Sequence, residues 1–155
     1  MPRKRSGALR AQQVPRVPRG LPVMRIHGLS ARTSRAIDRV EQLSDDYHLY
    51  PGATGHALRR YRAFLRPAGR RHRYPQDSEC GCRGCSFDDV RHARDVLESV
   101  LRQLPPRPRA ELRDRVRALD AEYAVRTLPD PFARQRQWGA HRWWRRRLAG
   151  GREGG

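Results

Sequence analysis

Apolar residues recur along this chain at spacings of three and four, the period of an α-helix, and nowhere in the sustained alternation of a strand. After "RIHGLS", the residues Ile37, Val40, Leu43 and Tyr47 fall on one helical face. With Ser30 as N-cap, this spacing predicts a helix over 31–47. "YPGATG" interrupts it. A shorter helix is expected over about 55–66, with Leu58, Tyr61, Phe64 and Leu65 on its apolar side and Pro67 beyond its end. The longest stripe runs Phe87, Val90, Ala93, Leu97, Leu101, Leu104, widened by Val96 and Val100, and predicts a helix over 87–104. Ser86 heads it, and Asp89 three residues on makes a variant of the capping box. "LPPRPRAEL" separates it from a helix over 109–127, carried by Leu112, Val116, Leu119 and Tyr123. Pro108 suits the first turn of that helix.

Two amphipathic helices joined by a short proline turn are expected to pack as an antiparallel hairpin, here 87–127. One more helix is expected within 132–148. The fold class is therefore all-α: a small helical hairpin or bundle, with a cysteine knuckle over 78–86 and disordered basic termini. Three parts are expected: a disordered basic arm over 1–28, a helical domain over 29–130, and a basic Trp/Arg-rich segment over 131–155.

Charge refines this picture. The chain has 155 residues, only 37% of them hydrophobic, and a net charge of +18. Residues 1–75 hold 17 basic and four acidic residues, residues 76–130 hold ten and eleven, and residues 131–155 hold seven and one. The middle third is neutral, and the flanks carry the excess. Such an excess favours anionic partners, nucleic acid before acidic lipid or acidic protein. All but one of the 34 basic residues are arginine, there is no Asn, and residues with GC-rich codons abound. The choice of Arg over Lys is therefore weak support for bidentate phosphate recognition, whereas the sign of the charge stands.

Two stretches carry the basic character. In "RRYRAFLRPAGRRHRY", Arg59, Arg62 and Arg66 share a helical face, and Arg70 and Arg71 follow in the loop. They read as a phosphate-facing stripe or as a solvated face. In "RQWGAHRWWRRRL", Arg142, Arg145, Arg146 and Arg147 interleave with Trp143 and Trp144. Arginine contacts phosphate and aromatic rings stack on bases, so this mixture suits RNA or DNA. Docking of the tryptophans on the hairpin and contact with an anionic membrane surface are the alternatives.

Candidate chemistry lies between the two. "SECGCRGCSF" contains every cysteine of the chain, Cys80, Cys82 and Cys85. Glycines at 81 and 84 are expected to let the loop turn its amides toward the sulfurs. Three thiolates make most of a tetrahedral zinc site, which needs a fourth ligand. His72, in a loop that can fold back, is preferred; His92, two turns into the next helix, a carboxylate, a water or another chain are the alternatives. Cys82 and Cys85 also form a C-x-x-C pair before a helix, which suits a thiol redox role, though without a thioredoxin-like strand context. An iron–sulfur cluster and three free thiols complete the options.

No Gly-rich phosphate loop, H-E-x-x-H or G-x-S-x-G occurs, and the Asp45-Asp46 and Asp88-Asp89 pairs read as caps or surface charge. With no apolar run of 18 residues and no signal-peptide core, a cytoplasmic location is expected. The span from Glu79 to Phe132, "ECGCRGCSFDDVRHARDVLESVLRQLPPRPRAELRDRVRALDAEYAVRTLPDPF", resembles small uncharacterised helical proteins of GC-rich bacteria with a Cys-x-Cys-x-x-Cys knuckle. That resemblance covers about a third of the chain and implies no activity, ligand or functional residue. The expected function is a non-catalytic, zinc-stabilised nucleic-acid-binding accessory protein. A protein-interaction adaptor without a nucleic-acid role, and a redox protein using Cys82 and Cys85, are the alternatives.

Overall fold

A computed structural model describes residues 24–151. The arm expected over 1–28 lies outside the described residues up to position 23. Its last residues are anchored: Ile26 donates its N–H to Ser34 Oγ at 3.0 Å, and Arg25 Nε donates to the Leu29 carbonyl at 2.9 Å.

The described residues are helical, and none belongs to a strand. Helix α1 spans Ala31–Leu43, α2 Ala53–Phe64, α3 Val90–Gln103 and α4 Pro106–Arg126. Ser30 caps α1 as expected, accepting from the Thr33 N–H at 3.2 Å. Both its backbone N–H and its hydroxyl also donate to Glu111 of α4, at 2.6 and 2.8 Å. The start of α1 is thereby tied to α4.

Helix α1 stops four residues short of the expected end, and Leu43, 78% exposed, and Tyr47 lie outside the core. The reason is local. Ser44 accepts from the Asp46 N–H, and Asp46 accepts from the His48 N–H at 2.8 Å, so short polar side chains turn the backbone out of the helix. Glu41, buried in the last turns of α1, instead reaches the next element. Its carboxylate accepts from the N–H groups of Thr54 at 2.7 Å and Gly52 at 2.8 Å, capping α2 from another helix. Gly52 takes φ +92°, a conformation that glycine adopts without strain.

The helix expected from residue 87 begins at Val90. A 3-10 turn over Cys85–Asp88 precedes it, and Asp89 is the N-cap, its side chain accepting from the Arg91 N–H at 2.9 Å. Ser86 is buried within that turn, and its side chain does not cap the helix. The hairpin turn falls at Leu104–Pro105, with Pro106 at the first position of α4.

Helix α3 packs chiefly on α2, and α4 closes against α1, so the hairpin is half of an interlocked four-helix arrangement. Leu58 and Tyr61 of α2, Leu97 and Val100 of α3, and Leu112 and Val116 of α4 share one core with Ile37 and Phe87. A polar triad crosses it. Asp120 accepts from the Tyr61 hydroxyl at 2.7 Å and from Arg94 Nε and Nη2 at 2.9 and 3.1 Å.

The segment after α4 forms no α-helix. It folds as 3-10 turns over Ala133–Gln135 and Ala140–Arg146, broken at Arg142 (φ −104°, ψ 49°). An isolated antiparallel bridge between Pro129 and Arg147 straps it to the end of α4. Among the described residues, no helix is long and apolar enough to cross a membrane.

Candidate metal centre and basic surface

The cysteine loop is held from both sides. Before α3, Phe87 is buried in the core, and Arg60 of α2 donates to the Phe87 carbonyl at 2.7 Å. Within the loop, Arg83 donates to the Tyr47 carbonyl at 2.7 Å, and its guanidinium lies over the rings of Tyr47 and Tyr50, 4.7 and 4.9 Å from their centroids. These anchors gather the three sulfurs. All lie within 4.8 Å of one another, Cys80 Sγ stands 3.1 Å from Cys82 Sγ, and the Cys85 N–H donates to Cys82 Sγ at 3.3 Å. Thiolates about 2.3 Å from a tetrahedral ion stand about 3.8 Å apart, a spacing between the 3.1 Å of the Cys80–Cys82 pair and the 4.8 Å that bounds the cluster. These three cysteines can hold a metal ion.

Electrostatics single out one sulfur. The N–H of Cys85 and the neighbouring Cys80 thiol bring the Cys82 thiol down to about 7. Hydrogen bonds toward Cys80 and Cys82 hold the Cys85 thiol up to about 12. The glycines have a smaller role than expected. Gly84 is in the ordinary right-handed region (φ −76°), and a Cβ at 81 or 84 would meet nothing. The amide of Cys85 faces Cys82 because the 3-10 turn starts there.

The expected fourth ligand does not arrive. Among the described residues, no histidine or carboxylate joins the three sulfurs within 4.8 Å. His72 is exposed on the loop after α2 and lines a separate groove. The seven residues between His72 and Cys80 are exposed or half-buried apart from Pro75, and they leave His72 outside the sulfur cluster. His92 faces the rings of His48 and Phe87, centroids 4.6 and 5.0 Å away, where burial lowers its pKa. The fourth corner is therefore open, and the cluster sits at the surface: Cys80 and Cys82 are exposed and Cys85 half-buried.

The Trp/Arg tail is largely turned inward. Trp144 is 2% exposed, and its indole N–H donates to Asp95 of α3 at 2.7 Å. The guanidinium of Arg94 covers its ring at 4.1 Å. Trp143 is half-buried beside Tyr123, whose hydroxyl donates to the Trp144 carbonyl at 3.1 Å. Arg145 pairs with Asp95 and Asp89, and Arg147 donates to Thr127 Oγ1 at 2.8 Å and to the carbonyls of Ala124 and Thr127. Arg142 lies over the Trp138 ring at 5.3 Å, and Arg146 buries an Nε with no partner among the described residues. Docking, one of the alternatives above, describes this segment. Trp144 has no face left for a base.

The other stretch behaves differently. Arg59 and Arg66 are exposed on α2 and just beyond it, and Arg62 between them is half-buried. Burial, then the nearby charges of Arg115 and Arg66, lower the Arg62 pKa, the mark of like charges brought together. Arg70 and Arg71 are exposed in the following loop. Among the described residues, every ion pair uses Arg91, Arg94, Arg102, Arg136 or Arg145, so no arginine before Arg91 meets a carboxylate within 4.0 Å. The periodicity did not single out Arg126, which closes α4 and organises the Arg70–Arg73 loop. Only its place in a last helical turn could have drawn attention to it.

No known protein family, curated protein or solved structure matches this chain, so its chemistry is read from its own geometry.

Proposed function

We propose that this chain is a non-catalytic nucleic-acid-binding protein, stabilised locally by zinc at Cys80, Cys82 and Cys85, that holds phosphates with the arginines of its first half. One observation carries the reading: no guanidinium before Arg91 is neutralised by a carboxylate among the described residues. Arg59, Arg62, Arg66, Arg70 and Arg71 form the contact surface. Trp143 and Trp144, with Arg145 and Arg147, serve the fold. Unneutralised guanidiniums release counterions when they meet phosphates, so affinity falls steeply with salt and depends little on sequence. Zinc is the metal of choice because this redox-inert ion takes thiolate ligands in tetrahedral structural sites, and a water or a partner group completes the open corner.

Fluorescence anisotropy with single-stranded and duplex oligonucleotides, over a series of salt concentrations, tests the first half. No binding at low salt overturns it. Elemental analysis of protein purified without a histidine tag tests the second, with about one zinc per chain expected. The low pKa of Cys82 favours a second reading, thiol–disulfide exchange through Cys82 and Cys85. Metal-free protein that catalyses insulin reduction would support it.

A further inference from the structure

A groove of about 720 Å³ runs between the loop after α2 and the end of α4. Arg60, Arg70, Arg71, His72, Arg73 and Arg126 line it, against a single carboxylate, Asp88. The volume is that of a small-ligand site.

Arg126 sets this groove apart from a solvated surface. The residue is only 4% exposed. Its Nε donates to the Arg71 carbonyl at 2.9 Å, and its Nη1 donates to the carbonyls of Leu65 and Pro67 at 3.3 and 3.2 Å. All three acceptors are neutral, and Nη2 has no hydrogen-bond partner among the described residues. A buried charge is ordinarily paired. Here the guanidinium is held rigidly through Nε and Nη1 with Nη2 left to donate, and no carboxylate among the described residues answers its charge.

The surroundings add to that charge. The Arg73 N–H donates to the Arg126 carbonyl at 2.7 Å, so the loop and the helix end grip each other in both directions. Arg73 also donates to the Arg66 carbonyl, and its guanidinium lies over the Phe64 ring at 5.3 Å. Arg60 is fixed by the carbonyls of Phe87 and Asp88. Arg70, Arg71 and His72 are exposed, and among the described residues their side chains carry no such ties to carboxylates or carbonyls. Fixed guanidiniums thus line the groove beside free ones. Tyr74, 44% exposed, stands beside them.

We propose that this groove receives a phosphate monoester at the end of a nucleic-acid strand, with Arg126 as its fixed cation and Tyr74 stacking on the terminal base. The proposal rests on the nucleic-acid reading above and adds a preference for strand ends. A monoester carries about −1.5 to −2 charge near neutral pH and three strong acceptor oxygens. It can therefore satisfy several guanidiniums converging from two elements. An internal diester, with one charge and two free oxygens, satisfies fewer of them. Arginine forks suit the geometry of phosphate oxygens, and aromatic rings stack on unpaired terminal bases.

The test uses the full chain and a 12-residue DNA strand in three forms: 5′-phosphate, 3′-phosphate and hydroxyl at both ends. At least one phosphorylated form should bind about tenfold more tightly than the hydroxyl-ended strand, the worth of one bidentate pair. That preference should vanish in the variant Arg70→Gln/Arg71→Gln/His72→Gln, whose exposed side chains leave the packing intact. Because Arg126 also holds the loop, Arg126→Lys serves as a second variant, checked by circular dichroism: it keeps the charge, loses the fork and should lower the preference. AMP should displace the phosphorylated strand, and adenosine should not. AMP binding as tightly as the strand would overturn the assignment to strand ends in favour of a free nucleotide. Equal, salt-sensitive affinity for all three strands would overturn the groove and leave the proposed function standing. No binding of any strand would overturn the function itself.

Discussion

Trp144 and Asp95 form the hydrogen bond that fastens the tail to α3, indole N–H to carboxylate at 2.7 Å. The indole is buried and the carboxylate also takes Arg145. Removing the ring leaves both a cavity and an orphaned acceptor. Trp144→Ala is expected to cost about 3–5 kcal/mol in a urea melt. Trp138→Ala, which removes only a ring stacked under Arg142 and Arg145, is expected to cost about 1 kcal/mol or less. Equal losses would show that the tail is not docked through Trp144.

The Asp120 triad makes a second stability prediction. Asp120→Ala leaves the Tyr61 hydroxyl and the Arg94 Nε and Nη2 without their acceptor, while Glu98 keeps its hold on Arg94 Nη1. A loss of about 3 kcal/mol is expected, because Glu98 still answers the guanidinium charge. Tyr61→Phe, which removes one donor and leaves the ion pair, should cost about 1 kcal/mol.

Stability should depend on pH through Glu111. Hydrogen bonds from Thr33 first, and then from Ser30, hold its carboxyl below the usual range. A depressed folded pKa contributes stability above the unfolded value, about 4.3, and that contribution is lost as pH falls through the folded value. The melting-temperature gap between wild type and Glu111→Gln should be constant above about pH 5 and close below about pH 4. A gap that widens on acidification would contradict this arrangement.

Metal removal should act locally. None of the three sulfurs is part of the core around Phe87 and Leu97. Chelation is expected to remove the binding contribution to stability, about 2.7 kcal/mol for a metal at a hundredfold excess over its dissociation constant, and to lower the melting temperature accordingly. The helical signal at 25 °C should not change. Collapse of helicity on chelation would make the knuckle a folding nucleus instead.

Salt dependence separates the two basic stretches. Arg59→Gln/Arg62→Gln/Arg66→Gln should flatten the plot of log affinity against log salt by up to about three in slope, about one per lost phosphate contact. Arg134→Gln, exposed on the tail, should leave the slope unchanged. The reverse pattern would return nucleic-acid contact to the tail.

Local signals in the sequence were legible, and long-range ones were not. The Val90–Leu104 stripe and the Ser30 cap are written in three- and four-residue spacings, and both are present. Asp89 displaced Ser86 as cap because burying Phe87 tightened the preceding turn into a 3-10 helix, a tertiary effect. Adjacency suggested that α3 would pair with α4, whereas α2 is its main partner. The tail shows the limit most clearly. Arg145 next to Trp144 reads the same whether it faces phosphate or Asp95, and Asp95 lies 50 residues earlier. The cysteine cluster was readable as three ligands, but the course of the chain between His72 and Cys80 was not.

The tail's docking also has a consequence in time. During synthesis, Asp95 emerges 49 residues before the indole it accepts from. At roughly 5–20 residues per second, α3 waits several seconds with that face uncovered. Until Trp144 has left the ribosome, the nascent protein presents an open seam along α3, where chaperones and proteases can act.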